Sequence, residues 1–259
     1  MSSLQKKQSE WSWQWNKIYD DNRWLFTEWI FPTTLEDFRG KDVLDCGCGG
    51  GQHINFVAPF AKSVTGVDLN ALESAKRNTE SHKNVTLIEH DIAQMKLGTT
   101  FDIVYSIGVL HHTDNPDASF KNIAAHAKPG GKVIVWVYSK EGNALNRWLV
   151  EPAKVMIVHH LPRSVVLFLS RVLTALVSIP VYTIYLLPLK FLPYYQYFQN
   201  WRQLSFERNM LNVFDKLNAP QTFFITKERI ESWFSPDAFK DIHISPYKGV
   251  SWRGSGIRT

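Results

Sequence analysis

The chain has 259 residues, a hydrophobic content of 44%, a formal net charge of +5 and a pI near 9.1. This length can bury a full core, and we expect one α/β core domain that carries an insertion. Cys46 and Cys48 are too close for an ordinary disulfide and too few for a structural zinc site, so we expect small buried residues and no metal. The polar, aromatic N-terminus does not resemble a secretion signal, which predicts a cytoplasmic protein.

Strands and helices alternate through the first part of the chain. Strands are predicted at residues 42–47, 63–69, 84–91, 101–108 and 132–139, with helices at 51–60, 71–81 and 116–128. The sequence "KPGG" at 128–131 indicates a turn that ends the last of these helices. Continuous apolar strands separated by helices are typical of a doubly wound, mostly parallel α/β sheet. The pattern stops near residue 144 and resumes with a helix at 226–234, capped by Thr226, and strands at 239–245 and 250–257.

A glycine-rich loop, "DCGCGGGQ", follows the first predicted strand. Ligands of doubly wound sheets bind at the carboxyl ends of the strands, where glycines let them approach the main chain. A dinucleotide fingerprint would need a third glycine at position 52, but that residue is Gln52, which disfavours NAD. Asp68 ends the next strand, where a carboxylate can accept hydrogen bonds from a ribose diol. A loop and an acid in this order fit an adenosine.

Five segments together resemble the class I S-adenosylmethionine-dependent methyltransferases of the small-molecule type. They are "VLDCGCGGG", "VTGVDLN", "IEHDIAQM", "FDIVYSIGVLHHTDNP" and "AKPGGKVIVWVY", in the family's order between residues 41 and 139. The resemblance implies a seven-stranded Rossmann-like sheet, with S-adenosylmethionine as the cofactor and methyl transfer as the activity. By family analogy the last strand would run antiparallel at the sheet edge.

The resemblance also implies a role for each residue that matches a family motif. Asp45, Gly47 and Gly49 would line the methionine end of the cofactor, Asp68 would hold the ribose, Leu69 would pack on the adenine, Asp91 would accept from the adenine amine, and Ile92 and Ser106 would lie nearby. The alternative for Asp68 and Asp91 is that each only caps the helix that follows its strand. Asp102 indicates a structural turn and is left out of the site.

The fourth motif narrows the acceptor. Enzymes that methylate the exocyclic amine of adenine or a glutamine amide carry Asn or Asp, two prolines and an aromatic residue here, whereas this chain has "SIGVLHH". Without a basic groove interleaved with aromatic residues, nucleic acid is disfavoured, and we expect a small-molecule, lipid-linked or saccharide acceptor. His111 and His112 are candidates for a general base, or they only brace the loop. Tyr138 and Glu141 are candidates for acceptor contacts. The alternative function is a non-catalytic protein that binds S-adenosylmethionine or recruits a partner to a membrane.

The division that we predict has three parts: residues 1–40 as an aromatic helical cap, 41–144 with 220–259 as the cofactor-binding domain, and 145–219 as a helical insertion. In the first part, Trp15 and Tyr19 are candidates to close the pocket, and ordinary packing is the alternative. We expect the insertion to cover the active site.

The insertion is apolar and basic. Residues 152–206 contain no Asp or Glu, while Lys154, Arg163, Arg171, Lys190 and Arg202 are spaced among apolar residues. The run 172–189 barely reaches the length of a membrane span and is broken by Pro180 and Pro188. We therefore expect a peripheral hairpin on an anionic membrane at the inner face of the cell, with a lid or a homodimer surface as the alternative.

Overall fold

The computed structural model describes Trp13, residues 22–70 and residues 72–259. Trp15 and Tyr19, the two residues predicted to close the pocket, lie outside the described residues. The chain divides into two compact units. Unit 1 contains the described residues of Met1–Tyr138, Gln221–Ser245 and Trp252–Thr259, and unit 2 contains Ser139–Pro220 and Pro246–Ser251.

Helices and strands alternate as the sequence predicts. The elements that lie wholly or mostly in unit 1 are α1 (Arg23–Trp29), β1 (Asp42–Cys46), α2 (Gln52–Val57), β2 (Ser63–Asp68), α3 (Leu72–Thr79), β3 (Val85–Glu89), β4 (Phe101–Ile107), α4 (Pro116–Ala125), β5 (Ala127–Tyr138), α9 (Lys227–Trp233), β6 (Phe239–Tyr247) and β7 (Ser251–Arg258). Unit 2 contributes α5 (Glu151–Met156), α6 (Arg163–Val181), α7 (Tyr195–Trp201) and α8 (Phe206–Asn218). Thr226 caps α9 as predicted, because its hydroxyl accepts from the Arg229 N–H.

The seven strands form one sheet in the order β3-β2-β1-β4-β5-β7-β6. Strands β3, β2, β1, β4 and β5 pair in parallel, and both faces of the sheet are covered by buried apolar clusters. This confirms the predicted doubly wound, mostly parallel sheet. It also brings the carboxyl ends of β1, β2 and β4 to the same edge, where a ligand would meet them.

Two details of the prediction are wrong. Strand β7 lies between β5 and β6, so β6 and not the last strand forms the edge of the sheet. Strand β5 begins at Ala127 rather than at 132, so "KPGG" belongs to this strand instead of being a separate turn. The register against β4 jumps from Ala127 opposite Phe101 to Lys132 opposite Ile103, which makes the segment a bulge. Gly130 provides the left-handed conformation in it, with φ of 79°.

Unit 2 is helical, and α6 is its longest helix. The helix ends one residue after Pro180, which limits the apolar run as the prolines predict. By length and composition alone, α6 is the one helix among the described residues that could cross a membrane.

Candidate functional site

The glycine loop after β1 is built for close approach of the main chain. Gly47, Gly49 and Gly51 all have left-handed φ, of 86°, 52° and 81°. A Cβ at Gly47 would lie 2.5 Å from the Val109 side chain, so only glycine fits there. The N–H groups of Gly47 and Cys48 both donate to the Val67 carbonyl on β2, which fixes the loop across the ends of two strands.

Asp68 ties the end of β2 to this loop. The Gly49 N–H donates to its Oδ2 at 2.9 Å and the Asn70 N–H donates to its Oδ1 at 2.8 Å. Each carboxylate oxygen is thereby oriented by a main-chain donor, and the carboxylate lies beside the glycine loop. The bond from the Asn70 N–H matches the capping alternative for Asp68, and its role beside a ribose stays a prediction.

Asp45 is fully buried near the end of β1, opposite Tyr105 on β4. The Tyr105 hydroxyl donates to Asp45 Oδ2 at 2.9 Å, while Asp45 Oδ1 has no hydrogen-bond partner among the described residues. Burial raises the pKa of this carboxyl to about 8, against the smaller opposing effect of the Tyr105 bond. A buried polar atom left in this state is costly unless something else pairs with it.

The remaining predicted cofactor residues lie at or after the ends of β2, β3 and β4. Leu69, directly after Asp68, leaves 38% of its side chain exposed, which offers an apolar surface for a ring. Asp91 Oδ1 accepts from the Ala93 N–H at 2.8 Å, which shapes the turn after β3, and Ile92 is buried in the core. The Ser106 hydroxyl donates to the Cys46 carbonyl at 2.8 Å and therefore bonds β4 to β1.

Asp102 has a structural role, in agreement with its exclusion from the site. It lies in β4, where it accepts from the Asp42 N–H and from Lys128 Nζ, both at 2.8 Å. The cysteines are also structural. Burial raises the pKa of Cys46 and Cys48 well above the ordinary thiol range, so both are neutral thiols in the core.

The two histidines differ in environment. They lie in the turn Leu110–His112 that follows β4. The His111 ring is fully buried and contacts the His112 and Tyr138 rings at centroid distances of 4.1 Å and 4.3 Å. His112 Nδ1 lies 2.9 Å from the Gln221 carbonyl oxygen, and Gln221 Nε2 donates back to the His112 carbonyl.

The contact between His112 Nδ1 and the Gln221 carbonyl oxygen determines the tautomer of the His112 ring. A carbonyl oxygen can only accept, so His112 carries a proton on Nδ1, and in the neutral ring Nε2 holds the lone pair. This is the protonation state that a general base requires.

Tyr138 and Glu141 fall in different surroundings. Tyr138 is half-buried at the end of β5, with its ring beside His111 and 5.5 Å from the Trp136 ring. Glu141 is exposed in the turn that begins unit 2. The structure therefore groups Tyr138 with the histidines.

Three residues of this region escaped the sequence analysis. Tyr105 pairs in register with Asp45, so the strand alignment alone contains a signal for their contact. Trp136 contacts Trp29 of α1 at 4.7 Å between ring centroids. Gln221 reaches His112 from a position more than a hundred residues later, and no local pattern indicates that contact.

Comparison with known proteins agrees with this geometry. Residues 44–135 match the sequence profile of a family described as "Methyltransferase domain". A ubiquinone biosynthesis O-methyltransferase of Coxiella burnetii is 38% identical over 100 residues, which cover 37% of this chain and 43% of that protein. A tRNA U34 carboxymethyltransferase of Nautilia profundicola is 30% identical over 138 residues, covering 49% and 45%. The chain spans less than half the length of these relatives.

Solved structures support the same fold. The N-methyltransferase NodS from Bradyrhizobium japonicum WM9, in complex with S-adenosyl-L-homocysteine, aligns with 100% of this chain and 99% of its own, at a TM-score of 0.51 and 12% identity. An O-methyltransferase family protein from Burkholderia thailandensis aligns with 91% of this chain and 56% of its own, at a TM-score of 0.53 and 12% identity. At these identities the likeness concerns the fold alone. Together with the profile match and the strand-end motifs, it identifies residues 44–135 as part of a methyltransferase domain with the class I, S-adenosylmethionine-dependent fold.

The residues present fit the cofactor of this family. The glycine loop carries no side chains at Gly47 and Gly49 and has left-handed main chain at both, and Asp45 Oδ1 offers a buried acceptor for an ammonium group. Asp68 and Leu69 follow one another at the end of β2, with a carboxylate for hydroxyl groups and an apolar surface for a base. Asp45, Asp68 and Leu69 therefore offer, in this order along the chain, groups that suit the ammonium, the ribose and the adenine of S-adenosylmethionine.

Proposed function

We propose that the chain transfers a methyl group from S-adenosylmethionine to a hydroxyl of a small-molecule, lipid-linked or saccharide acceptor. The observation that carries this proposal is the pair of acids beside the glycine loop, Asp45 and Asp68, with His112 held as the Nδ1–H tautomer after the neighbouring strand β4. The Coxiella burnetii relative named as a ubiquinone biosynthesis O-methyltransferase supports an oxygen acceptor. We further propose a cytoplasmic location and an acceptor other than nucleic acid.

In this proposal each residue has one task. Asp45 and the main chain of Gly47 and Gly49 hold the methionine end of the cofactor, and Asp68 orients the ribose. Leu69, Ile92 and Asp91 contact the adenine, while Ser106 keeps the ends of β1 and β4 together. Bound there, S-adenosylmethionine supplies a methyl group already activated on a sulfonium.

The acceptor side is formed by aromatic rings and an imidazole. Half-buried Tyr138 contacts both histidines and presents the flat apolar surface that a quinone-like or phenolic ring would contact, while the buried Trp136 ring packs against Tyr138. His112 Nε2 takes the proton of the acceptor hydroxyl as the oxygen attacks, and the Gln221 carbonyl stabilises the resulting imidazolium through Nδ1–H. His111 packs between these rings and positions His112.

The first experiment measures cofactor binding by calorimetry. Asp68→Ala removes the carboxylate that we propose accepts from the ribose hydroxyl groups. At least two hydrogen bonds to the cofactor are then lost, each worth about 0.5 to 1.5 kcal/mol. We expect the affinity for S-adenosylmethionine to fall by about tenfold or more. Glu80→Ala, which removes an exposed carboxylate after α3, is the matched control and should bind as the wild type does. Unchanged affinity in a folded Asp68→Ala variant would contradict the assignment.

A second experiment tests the base and the reaction class. Cell extracts incubated with labelled S-adenosylmethionine identify the acceptor by mass spectrometry, and tRNA is included as a separate acceptor. With that acceptor, His112→Ala should lower kcat by roughly 10² to 10⁴ with little change in cofactor affinity. His111→Phe, which keeps a ring in the packed position, should retain most of kcat. Cofactor binding without transfer to any acceptor would favour the non-catalytic alternative.

A further inference from the structure

Helix α6 of unit 2 exposes large apolar residues although part of its buried face is polar. Its buried residues are Val166, Ser170, Thr174 and Val181, and Ser170 and Thr174 have no exposed surface. Its outer face exposes Phe168 by 65%, Leu176 by 55% and Ile179 by 62%. Surface helices normally place such apolar residues against the core and polar residues toward water.

The buried hydroxyl groups are satisfied within the helix. Ser170 Oγ donates to the Val166 carbonyl and Thr174 Oγ1 to the Ser170 carbonyl, both at 2.7 Å. This face packs against α8, which belongs to the same unit. The small hydroxyl residues therefore serve the contact between two helices, and they leave the apolar face of α6 without a counterpart in the described part of unit 2.

The exposed apolar surface extends beyond α6. Trp148 and Met156, before the helix, are exposed by 71% and 67%, and Leu186 and Phe191, after it, by 60% and 80%. Isolated exposed apolar residues are common, but large ones repeated along one segment indicate a contact surface. We call residues 145–191 the apolar segment.

The charged residues in and near the apolar segment indicate which kind of partner it binds. Residues 152–206 contain five Lys or Arg and no Asp or Glu, and exposed Lys190 lies directly before Phe191. In a symmetric dimer through the apolar segment, Lys190 would gain no acidic partner from the same segment of the second copy, because Glu151, the acid of that segment, is paired with Lys154. Lys154 is buried and paired with Glu151, and Arg171 is paired with Glu207, so Lys190 is the exposed cation on which the charge argument rests. Large exposed apolar side chains beside such a cation are typical of a surface that binds anionic lipid.

The contacts of α6 argue that it lies along the membrane rather than across it. Arg171, at the middle of the 19-residue helix, places its NH2 3.3 Å from Glu207 of α8, and both side chains are more than half exposed. A span would carry this charged pair, together with the polar helix α8 packed on α6, into the hydrocarbon, where charged groups are costly. Only the outer face of α6 can enter the lipid at low cost.

We propose that the apolar segment docks on an anionic lipid bilayer, with α6 parallel to the surface and Phe168, Leu176 and Ile179 inserted at the level of the headgroups. This goes beyond methyl transfer and does not depend on it. Cations such as Lys190 contact the lipid phosphates while the apolar side chains anchor the unit.

Vesicle flotation with the 259-residue chain tests the proposal. The probes are vesicles of phosphatidylcholine alone and vesicles with about one third phosphatidylglycerol, at low and high salt. We expect the protein to float with the anionic vesicles at low salt, and at least fivefold less with neutral vesicles or at high salt. Phe168→Ser combined with Ile179→Ser should reduce the bound fraction at least fivefold, and Lys190→Glu should reduce it on anionic vesicles only.

A matched control separates surface chemistry from folding. Ile242→Ser makes the same kind of change at an exposed apolar residue of β6, and it should leave flotation unchanged. All variants should bind S-adenosylmethionine as the wild type does, so that loss of flotation is distinguished from loss of the proposed enzyme function. The proposal is overturned if the protein ignores anionic vesicles, or if it forms a dimer in solution that Phe168→Ser and Ile179→Ser dissociate.

Discussion

Asp45 combines a cost to stability with the cofactor contact that we propose for it. It is fully buried, one of its oxygens accepts from Tyr105, and the other has no hydrogen-bond partner among residues 22–70 and 72–259. Its pKa of about 8 means that the carboxyl is protonated at neutral pH in the chain without a ligand. Residues that lower stability in this way are characteristic of binding sites, where a ligand supplies the missing partner.

The pKa of Asp45 gives a prediction for pH. The folded chain holds the proton up to about pH 8, whereas the unfolded chain releases it near pH 4. The contribution of Asp45 to the free energy of unfolding therefore falls as pH rises between these values, and is constant above them. In Asp45→Asn this loss is absent. The Tm of the variant, measured by calorimetry without ligand, should exceed that of the wild type by a margin that grows to several °C between about pH 4 and pH 8.

The same substitution should act oppositely on binding. An amide cannot form the charge pair that a carboxylate makes with the cofactor's ammonium group, so we expect Asp45→Asn to bind S-adenosylmethionine at least about tenfold more weakly. Higher stability with lower affinity is the expected combination for a residue retained for function. A margin in Tm that shrinks as pH rises, or unchanged affinity, would contradict the role of Asp45.

At the scale of elements, the sequence is informative wherever neighbours in the chain are neighbours in the sheet. Strands β1 to β4 and the helices between them are predicted within a few residues, because their apolar runs and glycine turns are local signals. The position of β7 between β5 and β6 is not predicted, because pairing of distant strands is not encoded in any one segment. The contact of Gln221 with His112 escapes prediction for the same reason.

Two loops of unit 2 come into close contact at Gly142 and Gly249, and a side chain at Gly142 should destabilise the fold. A Cβ at Gly142 would lie 1.5 Å from the Gly249 carbonyl oxygen, which is main chain and cannot move aside alone. Gly142→Ala should therefore cost at least about 2 kcal/mol, measured as the free energy of unfolding in urea. Gly98→Ala is the control, because its φ is 67° but no atom lies within 4 Å. We expect it to cost only about 1 kcal/mol from backbone strain. Equal losses would show that the contact is relieved by loop movement.

At the scale of the whole molecule, the two units differ in what their sequence reveals. In unit 1 the motifs of the glycine loop and of Asp68 indicate both position and ligand class, because the fold brings strand ends together. In unit 2 composition alone predicts an apolar basic surface. The apolar outer face of α6 and its two buried hydroxyl residues appear only when burial is known, since Ser170 and Thr174 have no sequence signal that distinguishes a buried hydroxyl from an exposed one.

All the predicted cofactor contacts lie in unit 1, which gives a prediction for the stability of the chain as a whole. A ligand that binds only the folded state adds about 1.4 kcal/mol for each tenfold rise in concentration above its Kd. With S-adenosylhomocysteine, Tm should rise by about 3 to 6 °C for each tenfold increase in ligand concentration.

Scanning calorimetry should show this slope in the wild type and in the Phe168→Ser, Ile179→Ser variant, whose changes lie on the exposed face of α6. In Asp68→Ala the rise should begin only at about tenfold higher ligand concentration or above. A Tm that stays constant up to millimolar S-adenosylhomocysteine would show that the strand-end site does not bind this ligand.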